Sequence, residues 1–452
     1  MPIPRHIIGF AIAAIAAPIL IAASPAHAAT DQMGADFDGD GVTDLALGAR
    51  DGLQTASGTI VVDYSTELPT EYLRPPASFG YDGFADSFAT ADLDEDGYHD
   101  LVAACTDCEW EWSGPTVSIW RGSAEGLVLD PDFDVELGVP GRAVAIGEIS
   151  DASGREIVSS KDGTSTVLTH DEDGQWTDKG YYVEPPPPTE DRQPSLAVGD
   201  LDGDGVAEVV IGTPARELGG SVTIVKDIAS SEPSHVTYYA ENMDGALSLF
   251  GADVAIADAD GDLIGDLIIG APGSVGPNNE NCGRVVVMYS DSFPQLISQE
   301  TAGVPGVCEE GDEWGAQVEA ADLDGDAAAE IVVGSPGEAI YEDAAAGGIV
   351  VLNCDAIGVD CAGSLGVTQL SPNVPGSPEP GDRLGAALRI QWAFNAADRP
   401  GLLVGAPGED VDGTIDAGWV LVASLDATGA PDGASYAKTG VDYGRYLLGG
   451  SL

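Results

Sequence analysis

The residues best suited to chemistry in this chain are acids that recur at a fixed spacing. A nine-residue motif, with Asp at positions 1, 3 and 5 and Asp or Glu at position 9, occurs five times among the 452 residues. On a tight loop these carboxylates converge on one point, which suits a hard cation such as calcium, with its 6–8 oxygen ligands. The backbone carbonyl of position 7 would complete the ligand set.

The motif therefore predicts five calcium sites, each with five candidate ligands. The loops are named by the repeat unit that contains them, which gives loops 1, 2, 4, 5 and 6. In chain order the candidate ligands are Asp36, Asp38, Asp40, Val42 and Asp44 (loop 1); Asp92, Asp94, Asp96, Tyr98 and Asp100 (loop 2); Asp200, Asp202, Asp204, Val206 and Glu208 (loop 4); Asp258, Asp260, Asp262, Ile264 and Asp266 (loop 5); and Asp322, Asp324, Asp326, Ala328 and Glu330 (loop 6).

Position 6 sets the sharp turn that the motif needs. Gly41, Gly97 and Gly205 occupy it in loops 1, 2 and 4, and glycine adopts such a turn without steric cost. Loops 5 and 6 carry Leu263 and Ala327 instead. The sequence leaves the turn geometry of those two loops open.

Two alternatives to calcium, and one other kind of calcium site, compete with this interpretation of the loops. A metal-free acidic hairpin would leave carboxylates to repel one another at about 1 kcal/mol per pair at 4 Å in water, and it is the alternative that stays open. Magnesium prefers a stricter octahedron and its own waters. An EF-hand needs a helix on each side and a Glu at position 12, whereas the flanking segments here have strand character.

The elements that must hold these loops form a repeat. Acidic units begin near residues 36, 92, 200, 258 and 322, and their spacing predicts two further units near 148 and 392, where the apolar pattern persists without the acidic motif. Each unit has short Val- and Ile-rich runs bounded by Gly and Pro, and none has a helical stripe of useful length. Seven such units predict an all-β, seven-bladed β-propeller with four antiparallel strands per blade.

The two ends of the chain suggest how the ring closes. The first unit lacks a leading strand, and residues 443–452 align with the leading strand of a complete unit. We therefore expect the C-terminal strand to pair with the first blade. Closure of this kind leaves no blade edge to fray or to pair with another chain.

The residues around each acidic loop resemble a known repeat. Phe250-Gly251 before loop 5 and Gly270-Ala271-Pro272 after it form an FG…GAP frame, and variants surround loop 6 and the seventh unit. The frame is similar to the FG-GAP repeats of the integrin α-subunit propeller and its bacterial relatives, over essentially all of the chain after residue 28. The resemblance implies a seven-bladed propeller, calcium in the acidic loops on one face and ligand binding on the opposite face.

Charge and targeting signals limit the partners and the location. With 17 basic and 76 acidic residues the formal net charge is −59, which disfavours nucleic acid and anionic membranes as partners. Residues 1–28 have an apolar run that ends in a small-x-small pattern at Ala26 and Ala28, as a cleaved signal peptide does. We expect residues 29–452 to form a single propeller, secreted or held in the periplasm or at the cell surface, and monomeric.

Six cysteines fit an oxidising compartment. They allow 15 connectivities, of which we favour pairing of nearest neighbours. The expected bonds are Cys105–Cys108, Cys282–Cys308 and Cys354–Cys361. A redox role for the first pair is the alternative, but no βαβ pattern surrounds it.

The sequence contains no catalytic motif, and no catalytic residue is assigned. The histidines after residue 28 are His99, His170 and His235, and no nucleophile motif stands beside them. We expect an exported calcium-binding module for binding or adhesion, whose ligand is an extracellular protein or glycan and whose contacts lie in the variable loops after the GAP segments. The alternatives are a propeller-fold polysaccharide hydrolase or lyase, and a structural component of the cell envelope.

Overall fold

A computed structural model describes most of the chain between residues 35 and 438. The described ranges are 19–20, 35–49, 59–66, 68–74, 84–105, 117–130, 133, 143–150, 155–161, 164–170, 176–182, 194–215, 219–230, 232–243, 247–276, 280–290, 293–355, 358–392, 400–410, 418–425, 431 and 435–438. Within these ranges the only helical element is a 3-10 turn, Ala240–Asn242.

Short strands follow one another in antiparallel sheets of four. The first four sheets contain β1 (Ile19–Leu20), β2 (Leu45–Ala49), β3 (Thr59–Asp63) and β4 (Glu71–Leu73); β5 (Phe84–Ala91), β6 (Asp100–Cys105), β7 (Val117–Arg121) and β8 (Val128–Leu129); β9 (Ala143–Gly147), β10 (Glu156–Lys161), β11 (Thr164–His170) and β12 (Trp176–Tyr182); and β13 (Ser195–Gly199), β14 (Glu208–Thr213), β15 (Ser221–Lys226) and β16 (Ser234–Tyr239).

Three more sheets complete the set, and the sixth carries an inserted hairpin. They contain β17 (Val254–Ala257), β18 (Asp266–Ala271), β19 (Arg284–Met288) and β20 (Gln295–Ile297); β21 (Gln317–Ala321), β22 (Glu330–Ser335), β23 (Gly348–Leu352), the hairpin β24 (Cys354–Asp355) and β25 (Gly358–Val359), and β26 (Leu365–Val367); and β27 (Ala387–Trp392), β28 (Pro400–Ala406), β29 (Trp419–Ser424) and β30 (Ser435–Lys438). The predicted seven blades of four antiparallel strands are confirmed.

An apolar core fills each space between neighbouring sheets, so the sheets stack side by side around a ring. The space between the first and last sheets is filled as well: Leu47 of β2 clusters with Ala387, Leu403 and Val420 of the seventh sheet. Burial of apolar surface therefore closes the ring.

The strand predicted to close the ring, residues 443–452, lies outside the described residues. In the structure the leading position of the first sheet is held by β1, which comes from the predicted signal segment. Its residue Ile19 pairs with Ala49 and its residue Leu20 pairs with Gly48. No helix in the described ranges has both the length and the apolar character needed to cross a bilayer.

The FG and GAP segments meet through their glycines. Within the fifth sheet the N–H of Gly251 donates to the carbonyl of Gly270 at 3.0 Å. Gly270 also lies against the following sheet, where a Cβ on it would sit 2.1 Å from the carbonyl oxygen of Gly315. Only glycine permits this approach, so the motif sets the distance between blades.

The cysteines bear out one of the three expected disulfides. Cys282 and Cys308 are bonded, with Cα atoms 5.4 Å apart. The predicted Cys354–Cys361 bond is wrong, because no disulfide joins these two buried cysteines to each other. Cys354 lies opposite Val359 in the inserted hairpin, and Cys361 follows beyond the paired residues. Cys108 lies outside the described residues, so the Cys105–Cys108 pair stays a prediction.

Candidate metal centres in the acidic loops

The acidic loops lie at one end of the sheets, because four of them connect the first and second strands of a blade and loop 1 leads into β2. Backbone hydrogen bonds join neighbouring loops around the ring. The N–H of position 8 in one unit donates to the carbonyl of position 1 in the preceding unit, as from Gly265 to Asp200 (3.0 Å) and from Ala329 to Asp258 (2.7 Å). The same bond joins His99 to Asp36 at 2.9 Å. The position of one loop thus depends on its neighbour.

All five loops make the same turn at position 6. The N–H of that residue donates to the carboxylate of position 1 in every loop, at 2.7 Å for Leu263 and 3.1 Å for Ala327. The φ angle is positive even for the two residues that are not glycine, at +71° for Leu263 and +84° for Ala327. The turn that the sequence left open in loops 5 and 6 is therefore formed at the cost of a left-handed backbone in an L-residue.

The predicted acids come together in each loop, though not always the same three. Ligand oxygens lie within 4.8 Å of one another in five groups. Positions 1, 3 and 5 form the group in loops 1, 2 and 5, whereas positions 1, 3 and 9 form it in loops 4 and 6. Position 9 is Asp in the first set and Glu in the second. The extra methylene of Glu explains the difference, since it carries the carboxylate farther from the strand.

The aspartates at position 9 are buried and bound by backbone. Asp44 accepts hydrogen bonds from the N–H groups of Phe37 and Ser65, both at 2.8 Å, and it is 1% exposed. Burial raises its pKa to about 7, although the two N–H groups oppose the shift. Asp266 has the same arrangement and a pKa of about 7 for the same reason. These carboxylates fasten the acidic loop to the second and third strands.

Glu156 shows that the acid at position 9 accepts such hydrogen bonds even where positions 3 and 5 are not acidic. It is position 9 of the third unit, which has no acidic motif, and it accepts a hydrogen bond from the N–H of Ile149 at 2.9 Å and one from the hydroxyl of Ser150. Its pKa is raised by burial. The sequence argument missed this residue, although counting nine positions from Glu148 locates it.

Position 7 directs its N–H into the loop. In each loop this N–H donates to the carboxylate of position 5, as from Val42 to Asp40 at 2.8 Å and from Ile264 to Asp262 at 2.8 Å. The other carboxylate oxygen of Asp262 accepts a hydrogen bond from the hydroxyl of Ser290 at 3.0 Å. The remaining position-7 residues, with the same bond, are Tyr98, Val206 and Ala328.

Loop 6 tests whether these residues suit a cation. One oxygen of Glu330, Oε2, accepts a hydrogen bond from the N–H of Leu323 at 2.8 Å. The other, Oε1, is buried and has no hydrogen-bond partner among the described residues. Burial first, then the charges of Asp324 and its neighbours, raises the pKa of Glu330 to about 7. A buried carboxylate oxygen without a partner is costly, and a hard cation held with Asp322 and Asp324 would supply one.

Buried acids also occur beside the GAP segments, where sequence reasoning assigned none. Asp382 and Glu409 are hydrogen-bonded to each other, and burial followed by the charge of Glu409 raises the pKa of Asp382 to about 8. Glu379, whose N–H donates to Asp382 at 2.6 Å, and Gln369, whose amide donates to Glu409, also face the pair. An equivalent set surrounds Asp312 in the preceding blade. The repeated Pro-Gly-Glu that follows the GAP frame is the signal that would have found both sets.

Comparisons with known proteins agree with this architecture. The family model described as the FG-GAP repeat matches residues 193–225. Integrin alpha-5 of Xenopus laevis is 28% identical over 225 residues, which cover 48% of this chain and 20% of that protein. Integrin alpha-IIb of Mus musculus is 28% identical over 308 residues, covering 66% of this chain and 28% of that protein. The chain thus spans less than a third of the length of these curated relatives.

A solved structure of a protein from Lactobacillus plantarum also aligns with the chain. The TM-score is 0.46 at 12% sequence identity, and the alignment covers 87% of this chain and 95% of the other.

The turn at position 6 predicts that substitution by glycine raises the free energy of unfolding. Leu263→Gly and Ala327→Gly should each stabilise the protein by about 1 kcal/mol, because glycine removes the cost of a left-handed L-residue. The matched control is Gly205→Ala, since a Cβ there meets nothing within 4 Å and only its φ of +87° opposes it. It should destabilise by a similar amount. Urea unfolding at saturating calcium measures all three, and lower stability in both glycine variants would contradict the prediction.

The buried acid pair predicts a pH dependence. Because the pKa of Asp382 is raised from 3.8 to about 8, the folded protein holds a proton that the unfolded chain has lost between these values. Stability should therefore fall as pH rises from about 4 to about 8. Asp382→Asn should reduce this slope in urea unfolding at fixed calcium. The control is Glu232→Gln at an exposed position, which should keep the wild-type slope. An equal slope in Asp382→Asn would refute the assignment.

Proposed function

We propose that this FG-GAP, integrin α-like β-propeller is an extracellular binding module whose acidic loops hold structural calcium. The observation that carries the metal proposal is Oε1 of Glu330, a buried carboxylate oxygen without a hydrogen-bond partner among the described residues. The carboxylate of Glu330 belongs to the same converging group as Asp322 and Asp324. Four other loops repeat the arrangement, so we propose about five ions.

Calcium in these loops would have a mechanical role. Each ion would cancel the repulsion among acids of one loop, and the loops are joined to one another by backbone hydrogen bonds such as Ala329 to Asp258. Fixing the loops would therefore fix one face of the ring. The side chains at positions 1, 3, 5 and 9 would bind the ion, and the buried acids at position 9 would also keep each loop on its strands.

Ligand binding belongs on the opposite face. The second strand of a blade starts at its acidic loop and ends at its GAP segment, as β18 runs from Asp266 to Ala271. The loops that follow the GAP segments therefore lie at the far end of the sheets. One of them, 336–347, presents Tyr341 with 88% of its surface exposed. A large exposed aromatic ring on a rigid loop supports contact with a protein or a glycan.

We place this module outside the cytoplasm. The disulfide between Cys282 and Cys308 supports an oxidising compartment, and residues 1–28 have the composition of a signal peptide. Cleavage near Ala28 would remove β1 from the edge of β2 and leave that edge to residues 443–452. The mass of the exported chain tests the cleavage.

Chelation tests the metal role. EGTA should lower the melting temperature by several degrees, because a site filled at ten times its dissociation constant contributes about 1.4 kcal/mol. Glu330→Gln should reduce the rise in melting temperature that calcium produces. The matched control is Glu156→Gln, which changes the same position in a unit without the other acids and should leave the calcium-induced rise intact. A melting curve that EGTA does not shift would remove calcium from the proposal.

An array of extracellular matrix proteins and glycans, probed with and without calcium, tests the binding role. We expect specific binding that Tyr341→Ala weakens at least about tenfold, as loss of an aromatic anchor does. Phe293→Ala is the control, because Phe293 is 94% exposed and lies after the third strand, on the face of the acidic loops. Release of sugar from a polysaccharide panel would instead favour an enzyme.

A further inference from the structure

Among the described residues, a basic side chain of the protein lies beside two of the acidic loops. In the second sheet Leu101 pairs with Trp120, so the next residue, Arg121, faces Asp100 at position 9 of loop 2. In the fourth sheet Val209 pairs with Val225, which places Lys226 opposite the acid at position 9 of loop 4. The residues at the same place beside loops 1, 5 and 6 are uncharged: Tyr64, Tyr289 and Asn353.

Arg121 contacts two of the candidate ligands of loop 2, of which Asp94 belongs to the converging group of this loop. Its Nη1 lies 3.0 Å from Oδ2 of Asp100 and 3.3 Å from Oδ2 of Asp94. Its Nε donates to Asp130 at 3.2 Å, and the guanidinium also lies 5.9 Å from the ring centre of Trp176. These contacts hold the charge in place beside the loop.

Lys226 does the same in loop 4 with a different geometry. Its Nζ lies 2.5 Å from Oδ2 of Asp202, at position 3. The carboxylate of Glu208 at position 9 also attracts this ammonium group. Asp202 and Glu208 both belong to the group of converging oxygens in this loop, so calcium would have to share them with the ammonium.

Loop 6 differs most from loops 2 and 4. The residue opposite its position 9 is the uncharged Asn353, and the buried Oε1 of Glu330 has no hydrogen-bond partner in the described part of the chain. Loops 2 and 4 therefore start with part of their negative charge neutralised, whereas loop 6 does not. A divalent ion gains less where it must displace or approach a fixed positive charge.

We propose that Arg121 and Lys226 compete with calcium, so that loops 2 and 4 bind it more weakly than loop 6. The proposal rests on the calcium role proposed above. In this proposal Arg121 and Lys226 partly replace the ion. They bind the carboxylates of loops 2 and 4 when calcium is scarce, and calcium displaces them from these carboxylates when it is plentiful. One face of the ring would then tighten in two steps as calcium rises.

Arg121→Met and Lys226→Met test this in the full-length protein. Each variant should tighten one calcium site by about tenfold, equivalent to about 1.4 kcal/mol, in a calorimetric titration. Each should also melt at a lower temperature than wild type in EGTA and show a larger rise on adding calcium. A merely structural role would lower both melting temperatures equally. Lys226 is 39% exposed at its side chain, so its variant is the one best placed to fold.

Two further variants complete the test: one adds a positive charge beside an acidic loop, and the other is a control. Asn353→Arg places a charge beside loop 6 and should weaken one site by about tenfold. Arg383→Met removes an arginine that pairs with Glu313 at 2.8 Å, away from the loops, and should leave the titration unchanged. Wild-type titrations in both Met variants would overturn the proposal and leave the calcium role standing. No calcium binding in the wild type would overturn the calcium role and this proposal with it.

Discussion

Like charges held a few ångströms apart must be neutralised, and the form of this ring depends on how the neutralisation is done. The acidic loops use backbone N–H groups first: position 1 accepts from the turn at position 6, and position 9 accepts from position 2 of its own loop and, in loop 1, from Ser65 beyond the third strand. Arg121 and Lys226 neutralise two loops in part. Burial first, and then the charges of neighbouring carboxylates, raises the pKa values of Asp44 and Glu330 to about 7. A calcium ion is suited to cancel the repulsion among these acids.

The glycines of the FG and GAP segments explain why repulsion among the acids of one loop affects neighbouring blades. Gly270 brings its own blade and the next one into backbone contact through Gly315, at the end of the strand opposite the acidic loop. At the other end the loops are linked from Asp200 to Asp258 and onward by hydrogen bonds. The fourth, fifth and sixth blades are thus tied to one another at both ends, so a change of charge in one of their loops bears on the spacing of the blades.

Much of this architecture is predictable because it repeats. Five copies of one acidic motif gave the period, and the period located the two units near 148 and 392 that lack it. Short apolar runs then identified the strands, since an inner strand such as β22 buries both faces, with Val332 in one inter-blade core and Val333 in the next. Seven copies of a weak signal are stronger than any one of them.

The features that sequence reasoning missed depend on pairing across strands. Arg121 is 27 residues from Asp94 in the chain, and only the register of β6 with β7 places them together. The role of Glu156 was hidden because its unit lacks the other acids. The Cys354–Cys361 pairing was wrong because nearness in sequence ignored the hairpin register, which sets Cys354 against Val359.

The central claim is that a cation completes the acidic loops, and anomalous diffraction from crystals grown in calcium tests it most directly. The expected result is a peak in the anomalous difference map within each loop, with the peak of loop 6 bounded by Asp322, Asp324 and Glu330. A map with no anomalous peak in loop 6 would contradict the claim, because the buried oxygen of Glu330 would then be satisfied by something other than a metal.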